Sequence, residues 1–210
     1  MMKVYQDFYL RGDADSLQRF KTTISEFINS ADWMQKIDDK LSNAHIIIEY
    51  IGESLPKARV FIYTKEPAEF RIGNIVPLEK ANLIYDEYNW LLNKCAEDIL
   101  IPCAKSCGLF HEISPAELNI DDLPAKETIR KLKLFSGAAN KSTGSSHPAD
   151  QKRWNDFICE SIRENDTAVG SYLGRWLVEE EGWDDEIASE LVIEYENGTS
   201  LLTHFKENYL

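Results

Sequence analysis

The sequence predicts an α+β protein: an N-terminal antiparallel sheet with helices on one face, followed by an all-helical C-terminal part. Three observations predict it. Strand-like runs gather in the first half, at 4–10, 45–51, 59–64, 70–76 and 109–113. The links between the middle runs are too short for parallel crossovers, so hairpins must join them. Beyond Asp121-Asp122-Leu123-Pro124 no strand pattern remains, and helical periods take over. The expected division is 1–122 and 123–210, with a connection short enough for the two parts to pack as one body.

In the first run, Val4, Phe8 and Leu10 share a face. Gly12-Asp13 ends it, and Asp13 is an N-cap candidate for a helix carrying Leu17, Phe20, Ile24, Phe27 and Ile28 at helical spacing. Trp33, Met34, Ile37 and Leu41 fit a second, short helix. The run at 45–51 is mostly apolar, as in a central strand, and 59–64 alternates Val60 and Ile62 against Phe61 and Tyr63. Gly73 marks a bulge within 70–76. A long helix over 85–107 carries Leu91, Cys95, Ile99, Cys103 and Cys107 on one stripe. Pro102 should kink or split it, and Gly108 is placed to end it. A returning strand at 109–113 completes β-α-(α)-β-β-β-α-β, for which a ferredoxin-like arrangement is one open topology. Four helices follow, over 125–139, 148–164, 169–181 and 184–205, with Asn197-Gly198 as a break in the last.

Hydrophobic residues make up 43% of 210, enough for a packed interior. The formal charge of −13 argues against non-specific binding to nucleic-acid phosphates or anionic membranes. No basic segment followed by an apolar run opens the chain, and no stretch nears the roughly 18 apolar residues of a spanning helix. The expected setting is the cytoplasm, with reduced thiols. Cys95, Cys103 and Cys107 fall on one helical face without a CxxC pair, which reads as small apolar packing rather than zinc.

Catalytic motifs fail on inspection. Gly137-Ala138-Ala139-Asn140-Lys141-Ser142-Thr143 lacks the glycine before the lysine that lets a P-loop wrap phosphate, and it leaves a helix instead of a strand. His45, His111 and His204 are scattered, no Glu-x-x-His occurs, and there is no Gly-x-Ser-x-Gly elbow. The expectation is therefore a binding protein rather than an enzyme, with no catalytic residue, cofactor or metal assigned.

One pattern points to a partner. Eleven of the 36 carboxylates lie between Asp166 and Leu210, where Arg175 and Lys206 are the only basic residues. Glu179, Glu180 and Glu181 end a helix, where the macrodipole favours cations. Glu186, Glu190 and Glu194 repeat at i, i+4, i+8 with no lysine between them. Asp184 and Asp185 suit a helix start, and Trp183 among them is either a packing plug or an interface anchor. Together these nine residues predict a face for a basic protein, in the physical manner of inhibitors and immunity proteins. The alternative is a small-anion or small-molecule binding protein, or an enzyme, with its site at the serine-rich loop and the helix start after it. There Ser145, Ser146 and His147 precede Pro148, with Lys152 and Arg153 in the first turns.

Overall fold

The chain runs β1 (Met2–Lys3), β2 (Phe8–Arg11), α1 (Ala14–Phe27), β3 (Trp33–Lys36), β4 (Ile46–Tyr50), β5 (Ala58–Glu66) and β6 (Glu69–Pro77). Then come α2 (Tyr85–Cys95), a π-helical turn at Ala96–Leu100, α3 (Ile101–Cys107) and β7 (Phe110–Ile113). β8 (Glu117–Leu118) and a 3-10 turn lead into α4 (Lys126–Ala138), α5 (Pro148–Glu164), α6 (Ala168–Arg175), a π turn at Trp176–Glu180 and α7 (Asp185–Tyr209). This computed structural model describes residues 1–28, 31–36, 46–66, 69–165 and 168–209. Two units emerge: Lys3–Ala116, and Glu117–Leu210 with Met1–Met2.

The first unit is a six-stranded sheet in the order β3-β4-β5-β6-β2-β7, antiparallel at every pairing. Within it β7-β2-β6-β5 keep the ferredoxin-like order, and β3 and β4 extend the β5 side. Alternation puts Phe8, Leu10, Ile46, Ile48, Val60, Ile62, Phe70 and Ile72 in one core with α1, α2 and α3. Asp13 caps α1 as expected, accepting from Ser16 N at 2.8 Å. The bulge also falls at Gly73, where Phe61 pairs with Asn74 and Ile62 with Ile72.

Two local readings need correction. Trp33 and Met34 lie in strand β3, not in a helix, because they pair with Tyr50 and Glu49 of β4. Ile37, Leu41 and His45 lie outside the described residues. The first run is strand only from Phe8, since the backbone at Val4 and Gln6 is hydrogen-bonded to Ala116 and Asn89 instead.

Pro102 does divide the long helix. A proline gives no N–H to the helical ladder, and the π turn just before it takes up the misfit: Ile101 N–H reaches back to Ala96 O. Gly108, at φ +76°, ends α3 with Leu109 N donating to Ala104 O at 2.9 Å, a Schellman closure. Cys95, Cys103 and Cys107 are buried in the core, and burial pushes the Cys103 thiol up to about 12.

The second unit is helical, and a run of close aromatic pairs passes through its core. Trp183 stacks on Phe135 at 5.4 Å between centroids, Phe135 meets Trp154 at 4.7 Å, Trp154 meets Phe157 at 5.0 Å, and Phe157 stacks on Tyr195 at 5.3 Å. α7 is unbroken at Asn197-Gly198, contrary to expectation. Gly198 serves close packing instead, since a Cβ there would stand 3.0 Å from Ile158 of α5. No helix among the described residues is long and apolar enough to cross a membrane.

Candidate functional site

α7 begins where Asp184 Oδ1 accepts the N–H of Glu186 at 2.9 Å, so this carboxylate is a helix cap. Ala188, Leu191 and Tyr195 turn into the core. The 3.6-residue period then fixes Glu186, Glu190 and Glu194 as an exposed ridge. Among the described residues no lysine or arginine forms an ion pair with any of the three, nor with Asp185.

The triplet before α7 is arranged differently. Arg175 Nε donates to Glu179 at 2.8 Å and holds its carboxyl below the usual range. Glu180 meets the amino group of Met1 at 2.6 Å. Glu181 accepts from Ser136 Oγ at 2.7 Å and lies 3.9 Å from Lys141 Nζ. These three charges are met locally. Trp183 is only 3% exposed, and its Nε1 donates to Ser136 Oγ at 2.8 Å. It is the packing plug and offers no surface anchor.

The loop between α4 and α5 brings the two sequence-predicted sites together. Ser145 is buried and its Oγ donates to Glu194 at 3.1 Å, across 49 residues of sequence. Thr143, Ser145, Ser146 and Gln151 line a cleft of about 240 Å³ together with Glu190 and Glu194. Its polar walls are carboxylate, hydroxyl and carboxamide, with no basic residue among the described residues that line it.

No family model matches the chain, and neither does any curated protein or solved structure.

The remaining residues of the anion alternative lie nearby, each with a partner. His147 is the N-cap of α5, its Nδ1 accepting from Ala149 N at 3.2 Å. Lys152 pairs with Asp156 and Arg153 with Asp150, both at 2.5 Å. An incoming anion would have to displace carboxylates already in place. Sequence reasoning missed Gln151 as a cleft residue, and the meeting of loop with ridge has no local signal. There Gly144, at φ +62°, sits close to Ile187, where an added Cβ would stand 3.3 Å away.

Proposed function

We propose that this chain is a non-enzymatic binding protein that engages a basic protein through the exposed ridge of α7. The cleft beside the ridge receives a lysine or arginine head group from that partner. One observation carries the reading: Glu190 and Glu194 line a cleft together with Thr143, Ser145 and Ser146, and no lysine or arginine among the described residues lines it. Guanidinium and ammonium groups carry only donors, and these walls are rich in acceptors. The charges that sequence alone would have counted in the same face, at Glu179 to Glu181, are met within the unit and drop out of it. Complementary charge accelerates encounter and sets specificity, which suits an inhibitor or immunity protein acting on a basic target.

The test is kinetic. The association rate with a partner isolated from the native source should fall steeply as NaCl rises. Glu190→Lys with Glu194→Lys should abolish binding while the far-UV circular dichroism is kept. Glu179→Gln should leave binding unchanged, because that carboxylate is already paired. A salt-independent rate, or binding that survives the double charge reversal, rejects the reading.

A further inference from the structure

The sheet unit holds a cavity of its own, and it lies where β6 has a neighbouring strand on one side only. β2 pairs with β6 from Glu69 to Arg71 and no further. Continued in the same register, Tyr5 would stand opposite Ile75. The chain leaves the sheet instead: Gln6 N donates to Asn89 Oδ1 at 2.8 Å, and Val4 N donates to Ala116 O at 2.9 Å. β6 therefore has an unpaired edge beyond its bulge.

The ladder to β5 fixes which groups face that edge. Leu78 N donates to Lys57 O at 2.8 Å. Along an antiparallel ladder, pairs that exchange hydrogen bonds alternate with pairs that do not. Val76 and Asn74 therefore bond to Arg59 and Phe61, whereas Ile75, opposite Val60, turns its N–H and C=O away from β5. Neither group has a hydrogen-bond partner among the described residues. Ile75 is buried with its side chain in the core, so its backbone presents a donor and an acceptor, side by side, that only a ligand or water can satisfy.

Both groups border a cavity of about 330 Å³ that Tyr5, Asn74, Asn82 and Tyr88 also line. No charged residue is among the described residues around it. Tyr5 is 49% exposed and Asn74, Val76 and Asn82 are exposed too, so the cavity opens to solvent. Tyr5 Oη donates to Leu83 O at 3.1 Å, which anchors the ring, and Tyr88 meets it edge-on at 4.8 Å between centroids. The carboxamides of Asn74 and Asn82 and the Tyr88 hydroxyl have no hydrogen bond among the described residues. Burial, then the Asp7 carboxylate, pushes the Tyr88 hydroxyl up to about 12, so at neutral pH it keeps its proton and is both donor and acceptor. The lysines nearest in sequence, Lys3 and Lys80, are paired with Asp86 and Glu87, so neither is free for an anionic ligand.

We propose that this cavity binds a small uncharged lactam ring, a free nucleobase of the uracil type. The C=O and adjacent N–H of the ligand pair with the N–H and C=O of Ile75, its ring lies against Tyr5, and Asn82 and the Tyr88 hydroxyl serve its remaining polar atoms. A lactam edge is the complement of the donor and acceptor that Ile75 offers. Aromatic side chains stack on bases, and walls that carry carboxamides without charge suit a neutral polar ligand. An extended peptide is the other natural occupant of a strand edge. It needs a run of ladder groups, and Pro77, the next residue facing this edge, has no N–H to give.

The test follows the backbone amide resonance of Ile75 while uracil is titrated into the full chain. The resonance should shift at millimolar concentration. The same ring with both N–H groups methylated, 1,3-dimethyluracil, should bind about tenfold more weakly. Tyr5→Ala should weaken uracil about fivefold or more, and Asn82→Ala about threefold. Asn82 lies on an exposed loop, so its variant keeps the test open should Tyr5→Ala fail to fold. The proposal is overturned if uracil leaves the Ile75 amide unmoved, if the dimethylated ring binds as tightly, or if Asn82→Ala binds as the parent does. Tighter binding of glucose or of a valine-rich pentapeptide than of uracil would overturn it too, since the occupant would then be a sugar or a strand.

Discussion

Ser136 shows how one side chain can hold together residues far apart in sequence. It is 1% exposed on the inner face of α4. Its hydroxyl donates to Glu181 and accepts from the Trp183 indole, 45 and 47 positions away. Removing it leaves a buried N–H without a partner, which costs about 1–3 kcal/mol. Ser136→Ala should lower unfolding free energy in urea by that amount. In a Trp183→Phe background the same change should cost less, because the orphaned donor is gone. Equal costs in both backgrounds would mean that the hydroxyl matters only through Glu181. Trp183 had two readings in the sequence because a corner residue is buried only if another element covers it, and the covering residue leaves no local trace. Glu160 gives a second residue-scale prediction. Its hydrogen bonds from Lys131 and then Arg163 hold its carboxyl below the ordinary glutamate value of 4.5. A carboxyl lowered in the folded state stabilises fully above its unfolded value, and that contribution is lost as pH falls through the folded value. Melting temperature should therefore drop as pH goes below about 4.5, and Glu160→Gln should flatten the drop.

At the scale of elements, what could be read depended on whether the deciding contact was local. α5 has the expected bounds, Pro148–Glu164, since a proline suits its first position and Asn165 ends it at φ 55°. β3 was misread because its apolar spacing satisfies a helix as well as a strand. The choice was made by pairing with β4, a non-local event. The same division separates two glycines that look alike in sequence. Gly137, near the end of α4, has no neighbour within 4 Å of an added Cβ, so its cost is purely helical propensity. Gly170 of α6 faces the Tyr195 ring, where a Cβ would stand 2.8 Å from a ring carbon. Tyr195 is buried and stacked on Phe157, so it has little room to yield. Gly137→Ala should stabilise by about 0.5–1 kcal/mol, and Gly170→Ala should destabilise by about 1–3 kcal/mol. Chemical denaturation of both variants would settle the pair, and a stabilising Gly170→Ala would contradict the close packing of α6 on α7.

Charge is the property that belongs to the whole molecule, and its excess was legible from composition while its distribution was not. Counting carboxylates after residue 165 treats Glu179 and Glu190 alike. The fold separates them, giving the first to Arg175 and leaving the second in solvent without a cation. Glu186, Glu190 and Glu194 then repel one another along α7, at a few tenths of a kcal/mol for each neighbouring pair. Glu194 is also tied to Ser145, so the clean experiment changes only the other two. Glu186→Gln with Glu190→Gln should raise the melting temperature at low ionic strength. The gain should vanish as added salt shortens the Debye length to about 3 Å at 1 M. Such a result would mean that the ridge is kept against the stability of its own helix, which is the expected signature of charge retained for a partner. A double variant that melts lower at every salt concentration would mean instead that these carboxylates support the fold, and the argument for a cationic partner would lose its physical basis.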